Sequence, residues 1–230
     1  MSRDYTRTKK SRKATRERHA QMTCKVFELK ITKSKLSKYQ KDILTKFFRQ
    51  ANYIYNSLVA NSNNFKTTDK EITILCGDHY ETRQLDLGSG IKQGICDKFI
   101  TNCKSLKSKK ASGDKIGKLK FKSYTNVIPL KQYKHTYNIN FDKNTIRIQN
   151  IKQVFKVKGL KQIPDDAEIC NAELIRKASE YYIHVVTYVP KEIKQTTGKQ
   201  IGLDFGIKSN ITLSNGEKYN INVPESKGTK

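Results

Sequence analysis

The sequence predicts an α+β protein in which a small β-barrel is interrupted by a helical segment and followed by a β-hairpin. Three patterns support this prediction. Apolar and polar residues alternate with the period of a β-strand near 22–32 and again within 119–190. Two stretches with helical spacing lie between these regions. Short strands joined by tight turns are typical of a small barrel, because closure leaves few strand edges exposed.

Residues 1–21 contain almost no apolar side chains, and we expect a flexible basic arm that becomes ordered, if at all, on binding. Only Asp4 and Glu17 oppose its positive charges. The basic residues of the arm are Arg3, Arg7, Lys9, Lys10, Arg12, Lys13, Arg16 and Arg18.

The alternation at 22–33 predicts the first barrel strand, and 34–112 is expected to be a helical insertion. Ser34 or Ser37 is a candidate cap for its first helix, whose broad apolar face indicates core packing. Residues 61–90 are polar and are expected to be irregular, apart from one short apolar run. A second helix with apolar residues down one side is expected to end near Gly113.

The barrel is expected to resume at 113–190. Alternation on both sides of Asp142–Asn144 predicts a hairpin, and Glu180–Val189 alternates again before Pro190. Further short strands are expected at Val154–Val157 and Ala172–Arg176. The polar stretch 191–200 is interpreted as a linker, and 201–230 as a separate segment.

The chain carries 46 Lys and Arg against 21 Asp and Glu, a net charge of +25. A membrane-surface protein would concentrate such charge on an amphipathic helix. Here it is spread along the chain with Tyr and Phe between, which favours nucleic acid as the partner. A second cluster, opposed only by Asp114, consists of Lys104, Lys107, Lys109, Lys110, Lys115, Lys118, Lys120 and Lys122.

Several classes of protein are excluded by composition. No run approaches the ~18 apolar residues of a membrane span, and the basic N-terminal residues are not followed by the apolar region of a secretory signal. The five cysteines are widely spaced without a C-x-x-C pair, so neither a disulfide scaffold nor a zinc site is expected. Reduced thiols in a cytoplasmic protein are the simplest interpretation.

The most informative motif is Ile201–Tyr219. Asp204 is expected in the middle of an otherwise apolar central strand, where burial would be costly unless the carboxylate were paired or bound metal. Gly206 leaves room for a phosphate or an ion to approach. Asn215-Gly216 is expected to form a type I′ turn.

Three groups of proteins place an Asp and a Gly in this way. Asp204-Phe205-Gly206 spells the D-F-G of protein kinases, but the other kinase motifs are missing. The actin and sugar-kinase ATPases open similarly but need further nucleotide-binding segments downstream. In the RNase H-like nucleases the first strand supplies an Asp that holds two Mg²⁺ ions.

The segment Gly-Leu-Asp-Phe-Gly-Ile-Lys with its Leu-Ser-Asn-Gly-Glu hairpin resembles the first RuvC segment of the TnpB proteins of bacterial insertion sequences, relatives of the compact type V CRISPR effectors. Ala51–Leu58 resembles the tyrosine-asparagine signature of the family's first helix. Lys118–Lys122 resembles its basic strand entry, and Ala172–Val189 its last barrel strands. The order of strand, helical recognition insertion, wedge (OB-like) barrel and RuvC hairpin is also that of the family.

The resemblance implies a bacterial RNA-guided DNA endonuclease, cytoplasmic and nucleoid-associated when bound to DNA. Its partners would be a guide RNA and double-stranded target DNA, with sequence read by base pairing. Asp204 would be the first catalytic Mg²⁺ ligand. The two further RuvC carboxylates and the usual zinc ribbon are not found within the remaining residues, so we expect the N-terminal part of such a protein, which alone would not cut DNA.

Three alternatives remain open at this point. A nuclease-dead RNA-guided repressor of the same ancestry would also bind RNA and DNA. A generic basic RNA-binding protein would account for the charge and treat the hairpin as accidental. An ATPase would be revealed by stabilisation with ATP.

Overall fold

The computed structural model describes residues 6–178, 180–191, 198, 201–206 and 210–220. The chain divides into two compact units, Met1–Lys191 and Glu192–Lys230. Most of the predicted linker 191–200 lies outside the described residues. Each unit is therefore considered by itself.

The first unit contains three helices and nine strands within its described residues. The helices are α1 (Thr6–Ala20), α2 (Lys38–Ala60) and α3 (Ser89–Ala111). The strands are β1 (Met22–Ile31), β2 (Glu71–Cys76), β3 (His79–Gln84), β4 (Val127–Leu130), β5 (Tyr137–Asn140), β6 (Thr145–Ile148), β7 (Val154–Lys158), β8 (Glu168–Lys177) and β9 (Glu180–Pro190). None of these helices is long and apolar enough to cross a membrane.

Seven of these strands form one antiparallel sheet in the order β4-β8-β9-β1-β7-β6-β5. The sheet curves into a nearly closed barrel. The hydroxyl of the buried Tyr137 on β5 donates to the carbonyl oxygen of Cys170 on β8 at 3.1 Å, which links one end strand of the sheet to the second strand from the other end. The predicted α+β class and small barrel are confirmed, together with the strands foreseen at 22–32, 137–148, 154–157, 172–176 and 180–189.

The two long helices share one hydrophobic core with the barrel. Phe47 and Ile54 of α2 and Ile91 of α3 pack in the same buried cluster as Leu29 and Phe155 of the sheet. In sequence the helices lie between β1 and β4, as expected. Whether 34–112 acts as a recognition insertion stays a prediction.

The start of α2 follows from its capping residues. The Ser37 hydroxyl accepts from the Gln40 backbone N–H at 3.2 Å, and the Gln40 side-chain oxygen accepts from the Ser37 N–H at 3.0 Å. This reciprocal pair satisfies two N–H groups that the helix itself leaves free. Of the two predicted caps, Ser37 is confirmed.

Two local predictions are wrong. Residues 6–20 form a helix rather than the expected flexible arm, and Arg18 and His19 at its end contact Glu168 and Tyr188 of the barrel. Residues 71–84 form a β-hairpin instead of irregular structure. Gly77, with φ of 60°, is the first central residue of its two-residue turn, as in a II′ hairpin, and the exposed return strand His79–Gln84 carries too few apolar residues to be recognised.

The described residues of the second unit form a three-stranded antiparallel sheet. Its strands are β10 (Leu203–Asp204), β11 (Ile211–Leu213) and β12 (Lys218–Tyr219), in that order. The hairpin between β11 and β12 occurs where it was predicted. Its assignment to an RNase H-like domain stays a prediction.

The turn in that hairpin differs from the predicted type I′. Such a turn needs positive φ at both central residues, whereas of Asn215 and Gly216 only Gly216 has one, at 90°. The Gly216 N–H donates to the Leu213 carbonyl at 2.9 Å, and the Leu213 N–H donates to Glu217 O at 2.8 Å. This is the pattern of a three-residue loop that closes on a left-handed glycine.

Candidate nucleic-acid interface

Two motifs that are far apart in sequence meet in the structure. The extended residues between α3 and β4 run along α2, which holds their backbone with side chains. Asn56 donates to the Lys122 carbonyl at 2.8 Å and accepts from the Lys122 N–H at 2.9 Å. Asn52 donates to the same carbonyl at 3.0 Å, and the Tyr55 hydroxyl reaches the Lys120 carbonyl at 3.4 Å. A side-chain amide offers both a donor and an acceptor, so Asn56 pairs with this backbone as a neighbouring strand would.

The surroundings of Tyr55 keep it suited to this contact. Its ring is buried against Phe99, with the ring centres 6.3 Å apart and the planes nearly perpendicular. Burial, assisted by the nearby Cys103, raises the pKa of Tyr55, so the hydroxyl stays protonated and remains a donor. The Lys122 ammonium lies 4.3 Å from the centre of the Tyr55 ring, within the range of a cation–π contact.

We call residues 107–122 the basic segment. It comprises the last turn of α3 and the stretch that α2 holds, and it contains seven of the predicted nucleic-acid-binding residues. All seven side chains are exposed: Lys107, Lys109, Lys110, Lys115, Lys118, Lys120 and Lys122.

A groove of about 480 Å³ lies beside the basic segment, between α2, α3 and β4. Phe121 and Tyr124 line it and are 66% and 62% exposed. Large aromatic side chains left this open next to lysines are typical of surfaces on which nucleobases stack. Asn102 and Asn126 add amide groups that can hydrogen-bond to base edges.

The lysines of the basic segment differ from the ion-paired lysines of the first unit in their ionic contacts. None of the seven makes an ion pair with an acidic residue in the part of the chain that the structure describes. Elsewhere lysines are neutralised in the pairs Lys30–Glu180, Lys46–Asp86, Lys98–Glu173, Lys131–Asp97 and Lys177–Glu28. Seven lysines without an acidic partner among the described residues therefore lie close together in sequence, beside the exposed aromatic residues.

The basic residues of the N-terminal arm have varied environments. Arg3 lies outside the described residues, and only the backbone of Arg7 is described. Lys13 Nζ lies 3.9 Å from Glu17 Oε1, and Arg18 Nη2 forms an ion pair with Glu168 Oε1 at 2.7 Å. The remaining members are exposed on α1 without an ion pair among the described residues: Lys9, Lys10, Arg12 and Arg16.

The structure anchors the two basic clusters at different ends of β8. The end of α1 is tied to Glu168, the first residue of that strand. Near the other end of β8, the Arg176 N–H donates to the carbonyl oxygen of Asn126 at 2.9 Å. Asn126 follows the basic segment by four residues. Eight residues of extended strand separate these anchors by roughly 25 Å. An extended phosphate backbone could contact both clusters, whereas a compact anion could not.

Asp204 lies in the second unit at the end of β10, an outer strand of the three described there. Its side chain is exposed, as are Leu203 and Phe205, so the expected placement inside an apolar central strand is wrong. The reason is that β10 spans two residues and no described layer of this unit covers it. Among the described residues, no cluster of three His, Cys, Asp or Glu side chains includes Asp204. The described residues around it therefore do not by themselves fit a two-magnesium site.

Sequence reasoning did not identify the parts played by Asn52, Asn56, Phe121 and Tyr124. A usable signal was present, because two asparagines on the otherwise apolar side of a predicted helix need hydrogen-bond partners.

A comparison of the chain with protein-family models gave no match, and a comparison with curated proteins gave none either.

Proposed function

We propose that the chain is the nucleic-acid-binding part of a TnpB-like, RNA-guided DNA endonuclease, and that the basic segment contacts its guide RNA. The observation that carries the proposal is the set of seven unpaired lysines beside Phe121 and Tyr124. Because α2 holds the backbone of Lys120 and Lys122, little ordering is required when RNA binds, which favours affinity.

RNA with unpaired bases fits this surface better than a regular duplex. Lysines contact phosphates of any strand, but aromatic faces stack only on bases that are not enclosed in a helix. In the proposed assembly the target DNA is recognised through pairing with the guide, and the protein reads shape.

The proposed link to cleavage rests on the resemblance of Ile201–Tyr219 to a RuvC segment. In that assignment Asp204 contributes one carboxylate to a Mg²⁺ site, and other residues must complete it. A nuclease-dead repressor or a generic RNA-binding protein would use the same basic segment, so the identity of the bound RNA separates these functions.

The first test measures the salt dependence of binding to a single-stranded RNA. We expect the quadruple substitution of Lys115, Lys118, Lys120 and Lys122 by Gln to weaken binding. The slope of log K against log salt should become shallower by about 0.7 for each lysine that contacts phosphate. The matched control changes four ion-paired lysines outside the groove to Gln, with the same loss of formal charge: Lys30, Lys46, Lys131 and Lys177.

Equal changes in slope for the two quadruple variants would overturn the assignment of the basic segment. Sequencing of RNA that co-purifies with the chain provides the second readout. One dominant structured species is expected of a guide RNA, whereas a random mixture would support the generic RNA-binding protein and contradict the proposal.

A further inference from the structure

A group of three potential metal ligands lies where α1 meets the barrel, away from the basic segment. His19 comes from the last turn of α1, and Glu168 and Cys170 come from β8. One nitrogen, one oxygen and one sulfur atom of these side chains all lie within 4.8 Å of one another. Residues separated by about 150 positions are thus brought together by the packing of α1 on the sheet.

The His19 ring is held in place but lacks a partner for one nitrogen. It stacks on Tyr188, with the ring centres 3.7 Å apart and the planes inclined by 11°. Its Nε2 is 3.1 Å from Glu168 Oε1, yet this contact lacks hydrogen-bond geometry, so Nε2 is a buried atom without a hydrogen-bond partner in the described structure. Such an atom is costly to bury, and a bound cation would satisfy it.

Strand geometry brings the other two ligands to the same place. Glu168 and Cys170 lie two residues apart on β8, where the register shifts between Ile169 and Ala172. Cys170 Sγ lies 3.8 Å from the Glu168 carbonyl oxygen. Burial, followed by the charges of Glu168 and Cys24, raises the pKa of the Cys170 thiol.

One nearby charge opposes cation binding. Arg18 Nη2 lies 2.7 Å from Glu168 Oε1, the same oxygen that faces His19. A metal ion would therefore bind the other carboxylate oxygen or displace this guanidinium. Since Arg18 is 57% exposed, its side chain has room to move into solvent.

We propose that His19, Glu168 and Cys170 bind a zinc ion that fastens the basic helix α1 to the barrel. Imidazole nitrogen, thiolate and carboxylate form a donor set typical of Zn²⁺, at about 2.0–2.3 Å, and unlike the all-oxygen sets of Mg²⁺ and Ca²⁺. The fourth position is open to water. The sequence indicated no zinc site because these ligands share no local spacing.

A metal at this position would explain how α1 stays on the protein. The helix has fifteen residues and no apolar face, and isolated helices of that length are marginal in water. Its described anchors all belong to the last turn: Arg18, His19 and the Ala20 carbonyl, which accepts from Lys191 at 2.8 Å. Coordination of His19 would fix the direction of α1 and so of its exposed Lys and Arg side chains. The zinc proposal does not depend on the proposed nuclease family.

Cobalt titration of the reduced chain, with zinc competition, provides the test. We expect one equivalent of Co²⁺ to bind with the charge-transfer absorption of a cobalt–thiolate bond, and Zn²⁺ to abolish that absorption. Cys170→Ser should remove the thiolate band, and His19→Gln should weaken binding at least tenfold. The matched controls Cys103→Ser and His135→Gln should bind as the unaltered chain does.

Proteolysis provides a second readout. Zn²⁺ should slow tryptic cleavage within α1 of the unaltered chain but not of the His19→Gln variant. Absence of the thiolate band in the unaltered chain would overturn the proposal, as would its persistence in Cys170→Ser. If circular dichroism shows that Cys170→Ser is unfolded, the test rests on His19→Gln. Unchanged cobalt affinity in that variant, with unchanged protection of α1 from trypsin by Zn²⁺, would refute the site.

Discussion

Lysines in two regions of the molecule differ in whether an acidic side chain neutralises them. The first region, which we call the barrel face, carries Glu28 and Lys30 of β1, Lys177 of β8, and Glu180 and His184 of β9. The second is the basic segment. On the barrel face Lys30 pairs with Glu180 at 2.7 Å, and Lys177 and His184 both pair with Glu28, at 2.6 and 2.8 Å. In the basic segment none of the seven lysines has an acidic partner among the described residues.

This difference shows why composition alone cannot locate an interface. On the barrel face, adjacent strands alternate charge, so Lys and Glu meet across the sheet and cancel. The basic segment is held through its backbone by Asn52 and Asn56, which leaves its side chains free. A net charge of +25 predicts a polyanionic partner, but composition does not distinguish ion-paired lysines from lysines that remain available to it.

The largest effect that would sharpen this comparison is expected from the two exposed aromatic residues of the groove. Replacing Phe121 and Tyr124 together by Ala should weaken binding of single-stranded RNA by about 1–3 kcal/mol for each base that stacks. Fluorescence anisotropy with a short labelled RNA measures this loss. The salt slope should stay unchanged, because no phosphate contact is removed.

Tyr80→Ala is the matched control for the aromatic substitutions. Tyr80 is 75% exposed on β3, outside the groove, so its loss should leave RNA affinity unaltered. An equal loss of affinity in this control would show that exposed aromatic residues outside the groove also bind RNA. The groove would then not be a specific binding site.

An intermediate effect is expected from Asn56→Ala, which removes the two hydrogen bonds to the Lys122 backbone. Each such bond contributes about 1 kcal/mol, and its loss should let the basic segment move. Binding would then require ordering it again, so RNA affinity should fall about fivefold, equivalent to about 1 kcal/mol.

Because every lysine remains in Asn56→Ala, the salt slope should stay the same while affinity falls. Asn138→Ala, a change on an exposed position of β5, is the control. Unchanged RNA affinity of Asn56→Ala, with the melting temperature also unchanged, would show that α2 does not position the segment.

The strands and helices that pack on the core were predictable from the sequence, because one buried face imposes a period. Phe27, Leu29 and Ile31 show the period of β1, and the apolar side of α2 shows its helix. The hairpin at 71–84 and helix α1 were not predictable in this way. His79–Gln84 buries almost nothing, and α1 depends on His19 and Arg18, whose partners lie about 150 residues further along the chain.

The candidate interface was predictable in composition but not in arrangement. The density of lysines at 104–122 is visible in the sequence. The contact of Asn56 with Lys122 spans 66 residues and leaves no local pattern. Asp204 shows the opposite error, since its apolar neighbours indicated burial, whereas those that the structure describes, Ile201, Leu203 and Phe205, are exposed.

The smallest effect concerns the barrel face at acid pH. Hydrogen bonds from Lys177 and His184 lower the pKa of Glu28 below its ordinary value of 4.5. A carboxyl group with a depressed pKa stabilises the fold above its unfolded-state value, and this contribution disappears as the pH falls through the lower, folded-state value. Urea unfolding between neutral pH and pH 3 should therefore show a slightly smaller decrease in the free energy of unfolding for Glu28→Gln than for the unaltered chain.

Lys120→Gln, in the basic segment, is the control. It should leave that decrease unchanged, because Lys120 has no acidic partner among the described residues. If Lys120→Gln reduced the decrease in unfolding free energy at acid pH as much as Glu28→Gln does, Lys120 would be ion-paired. The distinction between the two regions would then fail.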